Sequence, residues 1–190
     1  MDVVESIDWG AYSHFRFVAQ HNPDILPWME IAYYANSYAG VSCLAVLAVV
    51  LFLVQGRMRA AAVTGLAMAA GVGLCFICHF VVPRRRPPDA ENFLGADSMT
   101  SSYPADGVLL FMLAMIFLGI AAWPLLRYGV LRGLFVVLAV ALTVWICMSQ
   151  FFLTIHFVSD VVGALAGAAI LGVAASRMMG NPPGAPAPTA

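Results

Sequence analysis

The sequence predicts an all-α fold: a polytopic membrane helix bundle of about five transmembrane helices, preceded by an N-terminal interfacial helix. Two observations lead there. Of 190 residues, 62% are hydrophobic and only 10% are charged, whereas about a quarter are charged in a soluble domain. Five apolar runs, Ser37–Val54, Ala60–Val82, Gly107–Leu126, Gly133–Met148 and Val161–Ala175, each approach or exceed the span of a bilayer, which takes about 20 residues. Backbone in hydrocarbon must satisfy its own hydrogen bonds, so these runs are expected to be helical.

Residues 1–36 form the expected interfacial segment. There Trp9, Tyr12, Phe15, Phe17 and Trp28 mix with Asp8, Arg16 and Asp24, a composition suited to a helix or two lying along a membrane surface. The opening MDVVESIDWG is acidic where a secretory signal would be basic. Residues 37–179 make the membrane domain. The tail, residues 180–190, is rich in Pro, Gly and Ala and is expected to be disordered.

Charge placement predicts the orientation. The nine basic residues are all arginine. Arg57 and Arg59 lie between the first and second spans, Arg127 and Arg132 between the third and fourth, and Arg177 follows the fifth. Short arginine-bearing loops stay cytoplasmic, so this side is read as inside. All ten acids fall in the N-terminal segment, in the Pro83–Asp106 loop or at Asp160, on the opposite, outer side. The expected localisation is therefore a multi-pass inner membrane protein with its N-terminus outside and its C-terminus inside. On that outer face Arg84, Arg85 and Arg86 are adjacent, which suits an anionic ligand.

Three segments converge on the outer face: His79 to Pro88, Ser101 to Gly107, and Ser149 to Asp160. If Phe152–Val161 is helical, His156 and Asp160 share a face at i, i+4. A carboxylate one turn from an imidazole fixes its tautomer and raises the nucleophilicity of the other nitrogen. Ionisable groups at membrane depth are costly and mark functional sites. The plainer alternative is a His–Asp pair that ties two helices together.

In these segments the chain resembles the type-2 phosphatidic acid phosphatase superfamily of membrane lipid phosphatases. The family pattern is Lys, six residues, Arg-Pro; then Pro-Ser-Gly-His or Pro-Ser-Asp-His; then Ser-Arg, five residues, His, three residues, Asp. Its order and spacing recur as His79 to Arg86-Pro87, Pro104 to Gly107, and Ser149-Gln150 to His156 and Asp160. The flanks Asp97 to Pro104 and Val161 to Ala168 are similar as well, and the resemblance covers residues 60–175. It implies that His156 attacks phosphorus, that Asp160 orients it, and that the basic residues and Ser149 hold the phosphate. Four positions depart from the pattern: His79 replaces Lys, Ala105 Ser, Gly107 the acid His, and Gln150 Arg. Candidate compensations are Arg84 and Arg85 for the lost cation, Ser101 or Ser102 for the hydroxyl, and Asp106 as a substitute acid. A diphosphate substrate is favoured, because its leaving group needs less protonation than an alkoxide. Restoring Ala105→Ser, Gly107→His and Gln150→Arg together is expected to raise turnover if the scaffold is competent.

The reading that follows is a phosphatase-like membrane protein acting on an undecaprenyl-diphosphate or phosphatidate-like lipid through a phosphohistidine. The alternatives are a non-catalytic relative that binds a phospholipid headgroup or a membrane partner, and a lipid phosphotransferase. Cys75-Phe-Ile-Cys78-His79 matches a haem-attachment pattern, but it lies inside an apolar run where cysteine is an ordinary small hydrophobe. No cofactor, metal ion or nucleic-acid partner is expected. Gly163 and Gly167 give a small-residue face for close helix packing, within the bundle or in a homo-oligomer.

Overall fold

The structure is a computed structural model and describes residues 2–90, 94 and 100–180. Those residues are almost entirely helical, with no strand among them. We number the helices α1 (Val3–His21), α2 (Leu26–Ala35), α3 (Tyr38–Val54), α4 (Met58–Val81), α5 (Asp106–Ala122), α6 (Gly129–Phe152) and α7 (Val158–Met178). The predicted tail lies outside the described residues, apart from residue 180.

Every predicted apolar run is a helix, with ends shifted by a few residues. Ser37 caps α3, its hydroxyl accepting the Gly40 N–H at 3.3 Å, as serine does at helix starts. α5 stops at Ala122, before the predicted end at Leu126, because Pro124 cannot continue the ladder. α6 runs beyond its predicted bounds at both ends. Hydroxyls inside apolar helices bond back one turn: Thr64 donates to the Ala60 carbonyl and Thr143 to that of Ala139.

Three helices, α4, α6 and α7, are long and apolar enough to cross a membrane. The segment Pro23–Ala35 and α3 pass the same test only together, as a pair bent by 51°. The bend falls at Asn36 and Ser37, so α2 is joined to the bundle and not to the interfacial segment alone. α5 is apolar but has 17 residues. It is the centre of the core, burying Leu109, Leu113, Ala114 and Phe117 against α3, α4 and α7. α6 is peripheral and leaves Val130, Leu134, Val137, Val140 and Val144 exposed. Such an apolar flank suits lipid and not water.

Close helix approach depends on particular glycines. Gly163 lies where a Cβ would come within 2.5 Å of the Tyr103 ring, and a Cβ at Gly167 would lie 3.2 Å from Leu109. The small-residue face of α7 is thus used inside the bundle. A Cβ at Gly71 would meet Leu110, Leu113 and Leu109 at 3.0, 3.2 and 3.4 Å, whereas one at Gly73 meets nothing within 4 Å. Gly71→Val should therefore lower stability by about 1–3 kcal/mol through overpacking, and Gly73→Val should not. Thermal unfolding of both variants in detergent checks this; equal melting temperatures would contradict the packing.

Candidate functional site

The loop between α6 and α7 differs from the sequence expectation. Residues 152–161 are not one helix: α6 ends at Phe152 and α7 starts at Val158. Thr154 adopts a left-handed φ of 54°, and the Gln150 carbonyl accepts the N–H of Ile155 at 2.9 Å. His156 thus precedes α7, and Asp160 sits in its first turn, where its carboxylate accepts the Phe157 N–H at 3.0 Å. An acid at this position caps the helix start. His156 and Asp160 are neighbours through a turn and not across a helix face.

Asp160 is completely buried and has a full set of partners. Arg84 Nη1 donates to Oδ1 at 2.7 Å, and the Ser102 hydroxyl donates to Oδ2 at 2.5 Å. The same guanidinium reaches Asp8 of α1, with Nη2 2.6 Å from Oδ2. Asp8 is 1% exposed, and it also accepts the Ser159 N–H at 2.9 Å and the Ser159 hydroxyl at 2.6 Å. Burial alone would lower the Arg84 pKa, but the hydrogen bonds and charges of Asp8 and Asp160 outweigh it and hold the guanidinium more firmly protonated than usual. Arg84 also stacks on the Phe157 ring, 4.6 Å from its centroid. It is therefore occupied as a structural cation and does not face the cavity, contrary to the expectation that it would hold phosphate.

His156 is held by the chain from the second segment. Nδ1 lies 2.8 Å from the Ser102 carbonyl oxygen, which can only accept, so Nδ1 carries the proton. Nε2 then presents its lone pair, and Arg86 Nη1 donates to it at 3.1 Å. Asp160 Oδ2 is 3.9 Å from Nδ1, beyond hydrogen-bond reach, so Asp160 acts on the imidazole by charge and through Ser102. Burial pushes the His156 pKa below the ordinary value. The Arg86 charge adds to this, and the carboxylates Asp160 and Asp106 oppose it without prevailing. The ring is a neutral imidazole whose Nε2 lone pair accepts from a cation.

Arg86 and His156 line a cavity of about 490 Å³ together with His79, Asp106, Gly107 and Gln150. Arg86 also donates to the Ile155 carbonyl at 3.3 Å and the Thr100 hydroxyl at 3.0 Å. Gln150 is buried, its amide donating to Ser149 Oγ at 3.0 Å. Ser149 is buried behind that wall and donates to the Ile146 carbonyl at 2.7 Å. Arg85 is exposed and outside the lining. Ser101 accepts the Arg84 N–H at 3.2 Å, and the Ser102 N–H donates to the Arg84 carbonyl at 2.8 Å. These two serines clamp the second segment to the first.

The residues that differ from the family pattern have structural neighbours of their own. A Cβ at Gly107 would lie 2.6 Å from Asn36 Nδ2 and 3.2 Å from the Asn36 backbone oxygen. Asn36 thus fills the space that a side chain at position 107 would need, so Gly107→His cannot simply restore an acid. Ala105 is buried and donates its N–H to the Asp160 carbonyl at 3.3 Å. Asp106 lines the cavity and accepts the Tyr38 hydroxyl at 2.8 Å.

Sequence reasoning missed Asp8, Asn36, Tyr38, Thr100 and Ser159. Asp8 lies among aromatic residues that suggested a surface helix, and its partner Ser159 is 151 positions away. Ser159 itself stood inside a quoted motif. Among the described residues no group of three His, Cys, Asp or Glu side chains is placed to share a metal ion.

No family model matches the chain, and neither a curated protein nor a solved structure is significantly similar to it.

Removing Asp8 breaks the ion pair that ties α1 to Arg84 and takes the acceptor from the Ser159 N–H, leaving Arg84 with Asp160 alone. Asp8→Ala should cost about 3 kcal/mol, the low end for breaking a buried pair because Arg84 keeps some solvent access. Thermal unfolding measures this, and a melting temperature equal to wild type would refute the anchoring role.

Proposed function

We propose that this chain is a lipid phosphatase of the type-2 phosphatidic acid phosphatase kind, working through a phosphohistidine on His156. The observation that carries the reading is the 3.1 Å contact between His156 Nε2 and Arg86 Nη1 on one cavity wall, between residues 70 positions apart. A phosphate drawn to Arg86 would bring phosphorus against that lone pair. Nε2 attacks phosphorus as the bond to the leaving oxygen breaks. Water then attacks the phosphohistidine, the N–P bond breaks, and inorganic phosphate leaves with the Nε2 lone pair restored. A neutral imidazole is the nucleophilic form, and its proton on Nδ1 stays with Ser102. Arg86 stabilises charge on the transferring group.

A second reading is a non-catalytic phospholipid-binding protein. The filled space at Gly107 favours it, because no side chain there can protonate an alkoxide. The losses typical of a missing acid are about 10²–10⁴ in rate.

For the membrane we propose five crossings: the bent α2–α3 pair, α4, α5, α6 and α7. At 1.5 Å per residue, α5 is about 25 Å long. That is below about 30 Å, but most of α5 is buried against its neighbours and not against lipid. The N-terminus and the cavity lie outside, and Arg57, Arg127 and Arg177 lie inside.

Phosphate release from phosphatidate and from a polyprenyl diphosphate, by purified protein in detergent, tests the enzyme. His156→Ala should abolish it, and Arg86→Gln should lower it by about 10²–10³. Because His156 titrates below the ordinary histidine value of 6.5, the acid limb of kcat/KM should lie below that pH. The lone pair survives mild acid and is lost only as pH falls through the depressed pKa. Wild type with no turnover on either lipid, but Arg86-dependent lipid binding, would leave the binding reading. Labelling tests the topology: with the exposed Cys43 and the other native cysteines replaced, Arg57→Cys should resist an impermeant reagent in intact cells. Ready labelling would reverse the assignment.

A further inference from the structure

The cavity carries both signs of charge. Arg86 and His156 meet in its lining, and the hydrogen-bonded pair Asp106 and Tyr38 lines it too, as does Asn36. Asp106 forms no salt bridge within 4 Å among the described residues, and its hydrogen-bond partner, the Tyr38 hydroxyl, is neutral. Asn36 is 6% exposed, and its Oδ1, an acceptor, has no hydrogen-bond partner among the described residues. A buried acceptor without a donor costs free energy, and a carboxylate in a concave site attracts a cation. Both therefore call for a group that donates hydrogen bonds and carries positive charge. Tyr33 and Tyr38 also line the cavity, and tyrosine faces suit an ammonium.

We infer that the cavity recognises a zwitterionic headgroup, with the phosphate at Arg86 and His156 and an ammonium at Asp106, Tyr38 and Asn36. This rests on the phosphate site proposed above and goes beyond it by naming what accompanies the phosphate. It also reverses the expected preference for a diphosphate, whose second phosphate would meet the Asp106 carboxylate instead of a cation. In a phosphate monoester of an amino alcohol, the ammonium lies beside the oxygen that departs as Nε2 attacks phosphorus, and it stabilises that alkoxide until the water that hydrolyses the phosphohistidine supplies the proton Gly107 cannot.

The test is calorimetric binding to purified full-length protein in detergent. Phosphoethanolamine is compared with n-propyl phosphate, and 3-aminopropyl phosphate with n-butyl phosphate, so that each pair differs by ammonium against methyl. Wild type should prefer at least one amine by about tenfold or more, the worth of one charge-assisted hydrogen bond. Asp106→Asn, nearly isosteric, should remove that preference without weakening the affinity for alkyl phosphate. Arg86→Gln should weaken all four ligands. Equal binding within both pairs, or a preference that persists in Asp106→Asn, overturns the zwitterion inference alone. No binding of any of the four overturns the phosphate site and this inference with it.

Discussion

The Arg84 guanidinium lies between two carboxylates that are both shielded from water, Asp8 of α1 and Asp160 of α7. Neither acid could remain ionised there without a cation, since burying an unpaired charge is prohibitive. One arginine therefore joins the N-terminal helix, the loop after α4 and the start of α7. Ser102 joins the same cluster through Asp160 and holds His156 Nδ1 with its carbonyl. The geometry of the imidazole depends on this ion cluster at second hand. α1 is thus part of the site's framework, and its aromatic side chains reinforce it, Phe15 stacking on Phe151 and Trp9 meeting Phe157.

That arrangement separates two tasks that adjacent arginines could have shared. Arg84 is neutralised by two acids and faces the protein. Arg86 turns toward the cavity and meets the histidine lone pair. A nucleophile needs an unprotonated nitrogen, and a phosphate needs a cation beside it. In the proposed phosphate chemistry, placing Arg86 against Nε2 would serve both, because the positive charge disfavours protonation of the ring while attracting an anion. Burial works in the same direction. The histidine is tuned by exclusion of water and by a neighbouring cation, with Asp160 acting mainly to hold the loop.

The departures at Gly107 and Ala105 belong to the packing. Asn36, at the break between α2 and α3, occupies the volume beside Gly107, so the absence of a side chain at 107 and the bend between α2 and α3 are linked. The open space that remains contains Asp106 and Tyr38 in place of a further cation.

The apolar runs were legible because they are local: a helix in hydrocarbon is decided by its own composition over about 20 residues. The segregation of acids from the arginine-bearing loops was equally readable along the sequence, whereas the end of α5 before Pro124 was overrun by four residues. Motif order and spacing also pointed to Arg86 and His156 sharing one cavity, whereas Asp160, expected beside them there, is buried outside its lining. What only the tertiary structure decided is which chemically identical neighbour does what. Arg84, Arg85 and Arg86 are the same residue three times in a row, and nothing in composition or period distinguishes them. Their roles follow from the direction in which an irregular loop points each side chain and from a carboxylate 76 positions away in each direction along the chain. The break at Thr154, which puts His156 outside a helix, was hidden for the same reason: it is imposed by the packing of α1, α6 and α7 around a buried charge, an interaction with no local signature.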